Sequence, residues 1–146
     1  MLALRELGYA ISVPFGENTR YDLVIDDSEG LLRVQCKTGR LRNGSIFFAT
    51  CSTYGHHVRP GQSRRSYTGQ IDLFGVYCPE TRGVYLVPVE DVPTRSNAAL
   101  RVDPSLNGQR KRIRPANDYR IELVDVPEVV FRPALRASSG ARGSSA

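Results

Sequence analysis

The sequence predicts one domain made mainly of β-strands behind a short N-terminal helix. Three observations carry this. The chain has 146 residues, 40% of them hydrophobic, which is enough for one core without disulfides or a structural metal. Helical spacing of apolar residues is confined to the first residues. From Tyr9 onward, short runs rich in β-branched and aromatic residues are cut by Gly, Pro, Asn and Asp clusters.

Residues 1–8 read as the end of a helix. Leu2, Leu4 and Leu7 are apolar, Ala3 is a strong helix former, and Gly8 is a natural stop. The N-terminal helix therefore reads as shortened, and a helix of about two turns leans on packing for its stability. Tyr9–Phe15 alternates and is a strand ended by Pro14. "GENTR" is a loop. Tyr21–Ile25 and Leu31–Thr38 are strands joined by the turn "DDSEG", an antiparallel hairpin. "GRLRNG" turns the chain, and Ser45–Ser52 is the next strand. Residues 54–69 are polar and read as a long loop of the kind that carries function. Ile71–Cys78 and Val84–Val87 are strands joined by "PETRG". "VEDV" starts a helical turn, residues 98–102 form a short strand, and "DYRIELVDV" alternates enough for a last one. Residues 127–146 turn to Arg, Ser, Gly and Ala and read as a disordered tail.

No apolar run is long enough to cross a bilayer, and "MLALRELGYA" lacks the apolar stretch and cleavage site of a signal peptide. The expected location is cytoplasmic, with no membrane partner. Cys36, Cys51 and Cys78 are too few and too widely spaced for a disulfide framework, and each lies in an apolar run, so buried thiols are expected. Cys51 with His56 and His57 lacks the second ligand pair of a zinc finger.

Twenty basic against fifteen acidic residues give a net charge of +5. Residues 31–71 contain no Asp or Glu but hold Arg33, Lys37, Arg40, Arg42, Arg59, Arg64 and Arg65. Residues 104–117 are also acid-free and hold Arg110, Lys111, Arg112 and Arg114. Segregation of this kind favours a polyanionic partner over a merely solubilising surface.

Lys37 is one of two lysines among the twenty basic residues. On a strand, Leu31, Arg33, Gln35 and Lys37 share one face, and Leu32, Val34, Cys36 and Thr38 the other. Asp22, on the partner strand of the hairpin, reaches Gln35 and Lys37 across the ladder. A carboxylate, an amide oxygen and an amine gathered there suit phosphodiester hydrolysis. Oxygen ligands hold Mg²⁺, and an ammonium steadies a water or the charge growing on phosphorus. An amine does this better than a permanently charged, planar guanidinium. The competing reading is a polar, solvent-facing side of an antiparallel sheet.

"YDLVIDDSEGLLRVQCKTGRLRNGSIFF" resembles the active-site hairpin of the PD-(D/E)XK nuclease superfamily, and more narrowly the group I intron-associated endonucleases. The similarity runs on through "YTGQIDLFGVYCPETRGVYLVPVEDV" and "NGQRKRIRPANDYRI", over residues 1–122. It implies the α/β fold class, with a restriction-endonuclease-like core, a mixed β-sheet flanked by helices, in a PD-(D/E)XK endonuclease-like domain spanning residues 1–126. It also implies Mg²⁺ dependence and duplex DNA as substrate. By the same match Asp22 is the motif aspartate and a metal ligand, and Lys37 the motif lysine. Gln35 stands as a metal ligand where most of the superfamily has Asp or Glu, at the cost of one negative charge. Family members carry a further Glu in the first helix, within a Lys-Gly-x-x-Gly-Glu-type stretch. Glu6 lies near the helix end and does not take that role.

Arg40, Arg42, Arg64 and Arg65, expected in loops beside the site, are the DNA-backbone contacts. Tyr54 and Tyr67 flank the basic loop, either touching the nucleic acid or as plain surface tyrosines. His56 and His57 read as loop-tip histidines, and Asp72 as a strand or turn residue rather than an orienting group. The leading function is a homing-type or related DNA endonuclease. The alternatives are a weak or inactive DNA-binding protein of the same fold and a Holliday junction resolvase-like nuclease. Cutting both strands takes two active sites, which favours a homo-oligomer, a dimer or a tetramer.

Overall fold

A computed structural model describes residues 1–16, 18–53, 64–93, 96–104 and 113–121. Tyr54, His56, His57, Arg59, Arg110, Lys111, Arg112 and the 127–146 tail lie outside the described residues.

The chain opens with α1 (Leu2–Glu6), whose Leu4 is buried. Gly8 ends it at φ 88°, with its N–H donating to the Arg5 carbonyl at 2.9 Å. The strands follow in order: β1 (Ala10–Ser12), β2 (Leu23–Asp26), β3 (Leu31–Thr38), β4 (Arg40–Arg42), β5 (Ser45–Ala49), β6 (Cys51–Thr53), β7 (Arg64–Ser66), β8 (Leu73–Cys78), β9 (Gly83–Pro88), β10 (Asn97–Arg101) and β11 (Arg120–Ile121). The expected helical turn at "VEDV" is a 3₁₀ turn over Val89–Asp91.

Six strands form the main sheet in the order β1-β2-β3-β8-β9-β11. Every neighbouring pair is antiparallel except β3 and β8, which run parallel from Val34 opposite Leu73 to Thr38 opposite Tyr77. The sheet is therefore mixed, as expected for a restriction-endonuclease-like α/β core. A second sheet, β10-β5-β4, packs across one face of it. Alternation decides which residues meet there. Phe74, Val76, Tyr85 and Val87 from the main sheet bury against Ile46, Phe48, Ala98 and Leu100 from the second. On the opposite face α1 sets Leu4 over Leu23, Ile25 and Val34.

Three sequence expectations change. "GRLRNG" contains a strand, β4, and its turn is only Asn43-Gly44, with both φ positive at 47° and 69°. That is the twist-matched two-residue hairpin turn which Asn-Gly favours. The expected strand over residues 45–52 breaks at Thr50, whose N–H and hydroxyl both donate to the Ser96 carbonyl at 3.0 Å. Tyr9–Phe15 pairs only over Ala10–Ser12. Pro14 has no N–H to donate, and Phe15 is fully exposed.

Cys51 and Cys78 are buried, but Cys36 is exposed, contrary to the expected buried thiol. It lies on the α1 face beyond the short helix. There Cys36, Thr38, Tyr77, Val84 and Leu86 line an open groove of about 510 Å³. Gly39 links β3 to β4 where the chain passes close over the core. A Cβ there would stand 2.5 Å from Ile46 Cγ2.

Asp72 proves structural. Its carboxylate takes the Arg33 guanidinium through Nε at 3.0 Å and through the second amino group at 2.9 Å, and it also accepts the Arg33 backbone N–H at 2.7 Å. The pair clamps β3 to the start of β8. The Arg33 hydrogen bonds hold the Asp72 carboxyl below the usual aspartate range, and Asp72 in turn raises Arg33. A depressed carboxyl stabilises the fold above the unfolded value of about 4 and loses that contribution as pH falls through the folded value. Asp72→Asn is expected to cost about 1–2 kcal/mol at neutral pH, toward the low end for charged hydrogen bonds because both side chains are a third or more exposed. Urea denaturation at pH 7 and pH 3 checks this. The gap between wild type and variant narrows at the lower pH.

Candidate active site

The site is built where the β2–β3 hairpin opens. The register pairs Leu23 with Val34, so Asp22, one step beyond, stands opposite Gln35. The Asp22 N–H donates to the Val34 carbonyl at 2.9 Å, which continues the ladder and fixes the residue. Asp22 Oδ2 accepts from Gln35 Nε2 at 2.6 Å and from the Cys36 backbone N–H at 2.7 Å. Gln35 Nε2 also lies 3.5 Å from the Cys36 carbonyl oxygen. The Asp22 charge has a second effect. The Cys36 thiol is pushed up, first by the surrounding atoms that desolvate it and then by the Asp22 carboxylate.

Lys37 follows on the Gln35 side of β3. Its Nζ donates to the Tyr67 hydroxyl at 3.1 Å and stands 4.8 Å from the ring centroid. Tyr67 is 4% exposed, and its ring meets Phe74 edge to face at 5.6 Å. The expectation that Tyr67 lies on a polar loop is therefore corrected. The residue follows β7 and is drawn into the core by Phe74 and Ile71. Asp22 and Gln35 thus meet at the end of the β2–β3 ladder, and Lys37 lies two residues further along the same face of β3, an interior strand of the main sheet. Asp22 and Lys37 do not pair directly, since the ion pairs among the described residues are Arg33–Asp72 and Arg40–Glu80.

The donor set fits a hard divalent cation. The two ends of a glutamine amide exchange by rotation about one bond, so Gln35 offers an oxygen where its nitrogen now lies. One carboxylate oxygen, one amide oxygen and the Cys36 carbonyl then converge, leaving coordination positions for water or phosphate. Cys51 is buried, with its thiol toward the Ser96 carbonyl at 3.8 Å.

The four arginines expected in loops lie on strands instead. Arg40 and Arg42 are on β4, with Arg40 3.8 Å from Glu80 and its side chain 58% exposed. Arg64 and Arg65 are exposed on β7, opposite Thr53 and Ser52 of β6. Sequence reasoning missed Arg20 altogether. Its guanidinium donates to Gln70 Oε1 at 2.5 Å, Ser52 Oγ at 2.7 Å and the Ser66 carbonyl at 2.9 Å, and lies 4.1 Å from the Tyr67 ring centroid. Its partners are 32 to 50 residues away, so no local pattern marks it.

A family model described as PD-(D/E)XK endonuclease matches residues 1–122. Among solved structures, a bacterial homing endonuclease, I-Ssp6803I, is similar at 26% sequence identity with a TM-score of 0.58. The match covers 82% of this chain and 79% of that one. A search of curated proteins gives no match.

Proposed function

The chain belongs to the PD-(D/E)XK endonuclease family, and from that membership we propose that it is a Mg²⁺-dependent endonuclease of duplex DNA, of homing type or related to it. The observation that carries this reading is the convergence of Asp22 Oδ2, the Gln35 amide and the Cys36 carbonyl, with Lys37 next along the Gln35 face of β3. Asp22, Gln35 and the Cys36 carbonyl would hold the cation, which when bound would supply neutralisation of phosphoryl charge and a more acidic water. Lys37, further along the same face of β3, orients the attacking water or meets the charge growing on phosphorus. The exposed arginines on β4 and β7 bind the DNA backbone without reading sequence. Two copies of the chain serve the two strands of a duplex.

Supercoiled-plasmid nicking tests the reading. The wild type is expected to nick in Mg²⁺ and to stop in EDTA. Gln35→Glu restores a second carboxylate and is expected to lower the Mg²⁺ concentration at half-maximal rate on the order of tenfold. DNA binding by gel shift with no Mg²⁺-dependent nicking would favour the non-catalytic binding reading instead. Preference for a branched over a linear substrate would favour the resolvase-like one.

A further inference from the structure

A lysine side chain has four rotatable bonds, and about 2 kcal/mol of rotamer entropy opposes holding it in one place. Something must therefore fix the Lys37 ammonium if it is to serve the site that Asp22 and Gln35 mark. The side chain that touches it is Tyr67. The hydroxyl accepts from Nζ at 3.1 Å, and the ring lies 4.8 Å from the same nitrogen. A phenylalanine would fill the volume against Phe74 equally well, so core packing alone does not call for a phenol here. Tyr67 is itself held. Arg20 lies over its ring and ties Gln70, Ser52 and the Ser66 carbonyl around it.

We infer that Tyr67 is the positioning residue for Lys37: its hydroxyl takes one of the three ammonium donors and so aims the other two at the edge defined by Asp22 and Gln35. The hydrogen bond is charge-assisted and fixes direction, while the ring favours the cation without fixing where its protons point. Arg20 acts one step further back by locking the phenol against the β6–β7 ribbon. The effect on rate rests on the endonuclease reading, whereas the effect on Lys37 does not.

The chain has only two lysines, Lys37 and Lys111, so lysine labelled with ¹³C at Cε gives two side-chain signals, assigned with Lys111→Arg. In the wild type the Lys37 ε-methylene protons are expected to be inequivalent and displaced by the Tyr67 ring. In Tyr67→Phe they collapse toward the free-lysine position, nicking falls about tenfold, and the gel shift and thermal midpoint hold. The inference is overturned by a wild-type Lys37 signal already at the free-lysine position. It is equally overturned if Tyr67→Phe leaves the displaced signal in place, or if the signal collapses and nicking is unchanged. A displaced signal that collapses in the variant, in a wild type that never nicks DNA, upholds the positioning and removes the endonuclease reading alone.

Discussion

Lys37→Ala is expected to lower plasmid nicking about 10²–10³-fold, the usual cost of removing one preorganised charged group from a reacting centre. Binding of the same DNA by gel shift should change little, because the phosphate contacts proposed above fall on the arginines of β4 and β7. The substitution is clean structurally. Lys37 is half-buried at the edge of β3, and Tyr67 remains packed on Phe74 when the amine is gone. Lys37→Arg should recover little, since a planar guanidinium cannot occupy the same point beside the Tyr67 hydroxyl. Single-turnover nicking at saturating Mg²⁺ measures the effect. Cleavage by Lys37→Ala at the wild-type rate would remove Lys37 from the mechanism.

Phe74→Ala is expected to destabilise the fold by about 3–5 kcal/mol. Phe74 has no exposed surface, stands opposite Gln35 in the parallel ladder, and meets Phe48 and Tyr67 edge to face at 5.8 and 5.6 Å. Truncation leaves a cavity beneath both sheets and removes the wall behind Tyr67. A domain is stable by only about 5–15 kcal/mol, so the variant is expected to be partly unfolded near body temperature. Urea denaturation followed by circular dichroism reports the loss as a lower midpoint. An unchanged midpoint would mean that the two sheets do not share this core.

The site was more legible than the frame that supports it. Alternation along "LLRVQCKT" places Gln35 and Lys37 on one face, and the hairpin turn at residues 27–30 brings Asp22 opposite Gln35. Those relations depend on local geometry with period two, which a sequence displays directly. The turn at Asn43-Gly44 was also displayed, since Asn-Gly between alternating residues is a strong hairpin signal, yet the strand before it is short and rich in arginine. Other features depend on distant partners. Tyr67 reads as a loop residue until Phe74 and Arg20 are brought around it. Cys36 reads as buried because its strand face is apolar, yet it lines the open groove beside α1. Asp72 carries no local sign of the Arg33 clamp, because the two are 39 residues apart.

The parallel seam between β3 and β8 sets an order of assembly. One flank of β3 closes through a tight hairpin, a local event of microseconds. The other waits for a strand that arrives only after residues 39–72, and closure over that distance is slow because entropy is lost before contacts form. Tyr67 belongs to the late part. A nascent chain thus presents Asp22 and Gln35 together early, but holds its lysine in register only once the two halves have met.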